Sequence, residues 1–472
     1  MALEIFTVHF NTTLSSVQWT MTGFMLAMGT TAPVAGYLGE RFSYKRLYLF
    51  SLIGFTAASV LCASAWSEGS LILFRVLQGA FSGLIIPATM SIIYQVIPRE
   101  RQAMAIAFWG LSAMLAPAFG PTISGWLLQH LNWQWLFLMN IPIGLIAILF
   151  VYAYIPYYRM SVPKSFDLPG FLTVIVSSSS LLLALGQGHS WGWSSWKVIS
   201  LFVLGGIALL LFVWRELTAE TPLLNLKVFK NGRFTLNAII ANIITISLYS
   251  GTLLTPVFLQ RIQHVSAMDT GMILLPASLA MALLMPLVGK LYGIVGPRVL
   301  MSIGIVLLTL GTLTLSWLSV DVSHEYIIWW MLVRNIGIAF VVMPSSNAAM
   351  EQIPPELSGH ASAITNWTRN VFGSFAIAIF TTMLASRSMT HATDFVTQGV
   401  TDRAHIEMMS FTMSVNDVYV VATLVAALAL PLSLFVGKLN REGAGKPQEK
   451  AQKHTQSEAA KGVAQQPAAA QK

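Results

Sequence analysis

The chain has 472 residues, 55% of them hydrophobic and only 10% charged, where an ordinary soluble protein carries about 25% charged residues. Too little polar surface remains for a water-soluble globule of this length. The net charge of +8 does not point to nucleic acid, which needs basic residues gathered on one folded face; here Lys and Arg sit in short breaks between apolar runs.

About 20 apolar residues are needed to cross roughly 30 Å of hydrocarbon. Thirteen stretches meet that length: 19–38, 47–66, 71–94, 103–128, 135–155, 168–185, 198–214, 234–258, 268–288, 299–318, 326–350, 361–384 and 418–436. If the loop after the first of these is cytoplasmic and sides alternate, twenty Lys and Arg fall on the cytoplasmic side and four on the other. Basic loops mark the cytoplasmic face, so the C-terminus is expected there and residues 1–18 outside. The 437–472 tail, rich in Gln, Ala and Lys without apolar periodicity, is expected to be disordered. The lone Cys62 excludes an internal disulfide and CxxC chemistry.

In chain order, the first chemical feature is the loop "GYLGERFSYKR". It crowds Gly36, Gly39, Glu40, Arg41, Lys45 and Arg46 between two spans, glycines permitting a close crossing and charges able to pair and break when helices rock. Next, "FRVLQGAFSG" sets Arg75, Gln78, Gly79 and Gly83 near one helical face inside an apolar span. A guanidinium in hydrocarbon costs about 2.5 to 3.5 kcal/mol on insertion scales, so it normally faces a bundle interior or a water-filled path. The alternative is snorkelling to the interface with its stem buried.

"GLSAMLAPAFGPTISG" follows, where Pro117 and Pro121 remove backbone donors and can kink a helix, while Gly110, Gly120, Ser124 and Gly125 leave room for a neighbour. "FLMNIPIG" adds Asn140 before Pro142, where a lone Asn can be no more than a cap. Far downstream, Arg334, Gly337 and Pro344 repeat the order of Arg75, Gly79 and Pro87. That weak repeat is expected of two homologous bundles related by an axis along the membrane normal. No HExxH, metal-ligand cluster or GxxxxGK[ST] occurs, so neither an enzyme site, a cofactor nor ATP hydrolysis is expected.

These four motifs, in this order and spacing, resemble the major facilitator superfamily, specifically its fourteen-span drug:proton antiporter branch of bacterial multidrug exporters. The resemblance implies an all-α polytopic fold: an N-terminal bundle (19–155), two additional linking spans (156–233) and a C-terminal bundle (234–436), in the bacterial cytoplasmic membrane. It further implies export of lipophilic or cationic small molecules by alternating access, driven by proton influx, with a periplasmic adaptor as a partner in a Gram-negative cell. Carried onto this chain, Gly36, Gly39, Glu40, Arg41, Lys45 and Arg46 match the family's loop motif, with Ser43 where glycine is usual. Arg75, Gln78 and Gly79 match the motif linked to proton transfer. Gly110, Gly120, Pro121 and Gly125 match the antiporter motif, with Ser124 replacing a common glycine. Gly289, Lys290, Gly296 and Arg298 are a reduced second loop motif, and "NWTRNVFGS", with Asn366, Arg369 and Gly373, resembles the penultimate span.

No Asp or Glu lies centrally in any of the thirteen stretches, and the aspartate that the family carries on its first span has no counterpart. The resemblance places residues 1–18 at the end of that span and its external loop. The chain is therefore expected to be a truncated product or one begun at an internal Met. Competing readings are a uniporter or importer of one defined small molecule and a non-transporting membrane scaffold.

Overall fold

A computed structural model of the chain describes residues 2–12, 14–158, 167–220 and 222–437. The tail from 438 onward lies outside the described residues, and with it the expectation of disorder. Described residues in secondary structure are helical throughout, as a bilayer demands of open chains, because a helix satisfies its backbone groups internally.

The first bundle contains α1 (Ala2–His9), α2 (Leu14–Thr31), α3 (Ala35–Phe42), α4 (Tyr44–Ala63), α5 (Glu68–Val96), α6 (Arg99–His130), α7 (Trp135–Leu138) and α8 (Asn140–Tyr154). A 3-10 turn at Ala32–Val34 joins α2 to α3, so the 19–38 stretch is one nearly continuous rod. Two linking helices follow, α9 (Leu168–Trp191) and α10 (Trp196–Thr218). The second bundle holds α11 (Gly232–Arg261), α12 (Ala267–Val295), α13 (Pro297–Thr314), α14 (His324–Met350), α15 (Ser358–Thr397) and α16 (Arg403–Leu434). Among the described residues, eleven helical rods, α7 and α8 counted together, are long and apolar enough to cross a membrane; the α2–α3 rod and α6 are not among them.

Polar caps start many of these rods. Ser67 forms a reciprocal capping box with Ser70 before α5, Asn231 accepts from Arg233 and Phe234 before α11, and Asp402 accepts from Ala404 and His405 before α16. Each supplies an acceptor to amides that lack an intrahelical partner.

One boundary differs from the sequence reading. Residues 385–417, expected as an external loop, form instead the upper turns of α15 and α16. Arg387 and His391 reach Asp417 across this hairpin at 2.8 and 2.9 Å. Polar residues there lowered the hydropathy, but nothing in the segment breaks a helix before Gly399, whose φ is +84.

Apolar burial divides accordingly. One cluster joins Leu254, Phe258, Leu315, Ile327, Phe380 and Val415 of the second bundle; a smaller one joins Phe6, Val17, Cys62, Leu71, Phe74 and Phe137 of the first. A third crosses between bundles, setting Ile106 and Ala107 of α6 against Met281, Met285 and Val288 of α12.

Candidate functional site

Arg75 does not reach for lipid. Its Nε donates to the Thr20 carbonyl of α2 at 3.2 Å, and its Nη1 donates to Gln78 Oε1 at 2.6 Å. The Gln78 amide in turn donates to Ser59 Oγ of α4 at 2.7 Å, where Asn140 Nδ2 also arrives at 3.5 Å. The guanidinium lies over the Phe24 ring, 4.2 Å from its centroid, a favourable place for a cation. Asn140 is thus more than a cap: it opens α8 and brings that helix into a polar chain running Arg75, Gln78, Ser59, Asn140. Its neighbour Pro142 is exposed and takes no part in it. The helices approach closely enough for this because Gly79 and Gly83 lie directly against the Phe24 and Met28 carbonyls, where any side chain would collide.

Arg334 is buried to 1% exposure. Its Nη2 donates to the Ser247 carbonyl and, at 3.2 Å, to that of Leu248, both on α11. Gly251 and Gly311 wall this cradle: a Cβ on Gly251 would stand 2.6 Å from the guanidinium carbon. Asn366 is buried on α15, its Nδ2 without a partner. Arg369, one turn on, is partly buried with Tyr249 as its ionisable neighbour. Neither joins the Arg334 cradle. The expected pairing of Gly79 with Gly337 does not hold either, since Gly79 faces α2 whereas Gly337 abuts Gly304 and Leu308 of α13.

The loop motif forms a contact between bundles. A Cβ on Gly36 would sit 3.2 Å from His360 Nδ1 at the start of α15, and His360 Nε2 donates to Glu40 Oε1 at 2.9 Å with both side chains largely buried. Tyr44, which fills the space left by Gly39, donates to the Gly36 carbonyl at 3.2 Å. Lys45 donates to the Tyr152 carbonyl of α8 at 2.8 Å, Arg46 lies over the Tyr157 ring, and Arg41 is exposed. Near them Gln95 donates to Ser358 at 2.7 Å and Tyr94 to the Ser346 carbonyl at 3.3 Å.

The second loop motif is a counterpart in space. A Cβ on Gly289 of α12 would stand 2.8 Å from Ala107 Cβ and 3.1 Å from the Ala103 carbonyl of α6. Arg298 donates to the Leu434 carbonyl of α16, as Lys45 does to α8. Even the backbone repeats: Ser43 has φ +80 before α4, and Gly296 has φ +88 before α13. So α3 meets α15 and α12 meets α6, the crossed pairing of a two-fold axis. These contacts lie at the end of the molecule that carries the basic loops.

On α6, helical backbone continues from Arg99 to His130, but the side chains of Pro117, Pro121 and Gly125 lie outside the described residues. Gly110 comes within reach of Met285 Sδ, 3.3 Å from a Cβ placed on it. A Cβ placed on Gly120 would meet no atom of the described residues within 4 Å. The tight crossing between α6 and α12 falls nearer the basic end.

Sequence reasoning did not find His360, Gln95 or the run Ser177–Ser180 on α9, where Ser178 accepts from Trp367 of α15 at 2.7 Å and Ser179 meets Thr30 of α2 at 3.3 Å. Four consecutive serines in an apolar span were the available signal. Among the described residues no cluster of three or more His, Cys, Asp or Glu could hold a metal.

Comparisons with known proteins agree with this architecture. The family model described as Major Facilitator Superfamily matches residues 1–378. The chain is 31% identical to the lincomycin resistance protein LmrB of Listeria innocua, covering 93% of this chain and 92% of that one. It is 31% identical to the multidrug transporter protein MdtP of Bacillus subtilis, over 81% and 71% respectively. Among solved structures, the human organic anion transporter MFSD10 superposes with a TM-score of 0.62 at 12% identity, over 92% of this chain and 88% of that one, which speaks to fold alone. With crossed bundles, polar membrane arginines and a family match over most of its length, the chain belongs to the major facilitator superfamily and is a multi-pass bacterial inner-membrane transport protein.

Proposed function

We propose that the protein exports lipophilic or cationic small molecules by alternating access, coupled to proton influx, as a member of the fourteen-span drug:proton antiporter branch. The observation that carries this reading is the pair of crossed contacts at one end, Gly36 and Glu40 on His360 and Gly289 on Ala103 and Ala107. They close the basic end of the bundles. With the basic loops in the cytoplasm, this is the arrangement in which an exporter releases its load outward. Relatives named for lincomycin and multidrug resistance support an amphipathic load.

The test is accumulation of a lipophilic cationic dye in a bacterium deleted of its own pumps. Expression should lower accumulation, and a protonophore should restore it. Dye extrusion that persists without a proton gradient, or that follows a sodium gradient, rejects proton coupling; unchanged accumulation rejects export. Arg75→Lys should cut extrusion roughly ten-fold at matched expression, because it forfeits a charged hydrogen bond of the planar fork, worth about 1.5 kcal/mol or more.

A further inference from the structure

At the basic end of the two linking helices, two carboxyl groups are buried around a single cation. Asp167, 3% exposed, caps α9 by accepting from Gly170 N–H at 3.2 Å, and it accepts from Arg215 Nε at 2.9 Å. Glu216, 4% exposed at the end of α10, spends Oε2 on the Leu224 amide at 3.0 Å. Its Oε1 is buried and has no partner. That orphan oxygen converges on Asp167: a Cβ on Gly170 would stand 2.7 Å from Asp167 Oδ2 and 2.8 Å from Glu216 Oε1. Among the described residues, the charged groups bearing on Glu216 are Asp167 from α9 and Arg215 beside it on α10, and the 222–225 segment brings the Leu223 and Leu224 amides. Two buried carboxyl groups thus face, among the described residues, one partly exposed guanidinium, and a buried carboxylate without its own counter-charge is commonly neutralised.

We propose that Asp167 and Glu216 form a proton-binding site in which Glu216 Oε1–H donates to Asp167 Oδ2, and that its occupancy holds the 222–225 segment in place. The proton comes from water at the basic end, along the exposed side of Arg215, and returns there on release. Occupancy matters beyond the pair because Leu223 and Leu224 are fully buried in the cluster that also holds Tyr37 of α3 and Ala361 and Ile364 of α15. That cluster adjoins the Glu40–His360 contact. Loss of the proton sets two like charges face to face, and their repulsion drives Glu216 away from Asp167, carrying the Leu224 amide it holds and drawing the leucine pair out of the seam between the bundles. A site proton is thereby linked to how firmly the basic end is closed, whatever the chain carries.

The experiment uses the full chain in membrane vesicles, with Cys62→Ser and Leu223→Cys, and follows maleimide labelling of residue 223 against pH, normalised to an exposed Glu220→Cys control. Labelling should rise with pH by up to about ten-fold per unit, since opening releases one proton. Glu216→Gln keeps an amide to donate to Asp167 and an oxygen to accept from Leu224, so its labelling should stay slow and flat. In parallel, the infrared band of a protonated carboxyl should be present in the otherwise unchanged chain and lost in Glu216→Gln. Identical pH profiles with and without Glu216→Gln, a carboxyl band untouched by that change, or protection that follows sodium at fixed pH would each overturn the assignment.

Discussion

Each bundle carries an arginine within an apolar helix, Arg75 on α5 and Arg334 on α14, yet the two are held differently. Arg334 is enclosed, its guanidinium on carbonyls of the thirty-residue α11, which also runs along α15 and α16. Arg75 is only partly buried and leans on α2 and on its own Gln78. In the first bundle Arg75 instead shares its surroundings with α2, α4 and the ring of Phe137. Phe6 of α1 meets Leu71, Phe74 and Phe137, much as Phe258 meets Ile327 and Val415 in the second bundle. The neighbours differ too: α8 leaves Ile143, Leu145, Ile146, Leu149 and Phe150 exposed, whereas α16 buries Val415, Val418, Tyr419, Ala422 and Ala426. The same residue type is thus enclosed by backbone carbonyls in one bundle and held at a half-buried polar chain in the other.

The largest test of this contrast is paired alanine substitution. Arg334→Ala removes the charged hydrogen bonds to α11 and opens a cavity at a fully buried site, so it should cost about 3 kcal/mol or more, whereas Arg75→Ala should cost about 1 kcal/mol. Thermal unfolding of purified protein in detergent measures both, and equal losses would break the comparison. Glycine substitutions sharpen it at the crossings. Gly289→Val drives a methyl into Ala103 and Ala107 and should cost about 2 kcal/mol, while Gly120→Val should stay within about 0.5 kcal/mol; a reversed order would mean that α6 and α12 cross elsewhere.

Between bundles, Glu40→Gln and His360→Asn should each favour opening of the basic end. A double-mutant cycle read by cysteine accessibility should give a coupling of about 1 kcal/mol; additive effects would reduce their 2.9 Å contact to coincidence. The smallest effect concerns the repeated turn. Ser43 holds a left-handed φ and buries a hydroxyl without a partner, so Ser43→Gly should stabilise by about 1 kcal/mol and Gly296→Ser should destabilise by a similar amount.

Much of this arrangement was legible in the residues. Apolar length placed every spanning rod, since backbone self-satisfaction in lipid leaves helices as the solution, and the loop and arginine motifs named side chains that do meet across helices. What stayed hidden depends on who sits opposite. His360 is one of nine scattered histidines until α15 carries it to Glu40, and Asp167 and Glu216 are 49 positions apart before the linking hairpin closes. A glycine such as Gly120 records permission for close approach, and the sequence alone does not say whether a neighbour takes it. The turns of α15 and α16 beyond the span were missed because helices need no lipid once they can pair with each other.

At about 1.5 Å per residue, the 40 residues of α15 make a rod close to 60 Å long, twice the hydrocarbon thickness. Its foot carries His360 and its head carries Arg387 and His391, fastened to α16 through Asp417. Pivoted at the foot, such a beam swings its head by roughly 10 Å for a ten-degree tilt. A sub-ångström adjustment at one rim of the molecule is geared up into a displacement wide enough to uncover or bury a small molecule at the other.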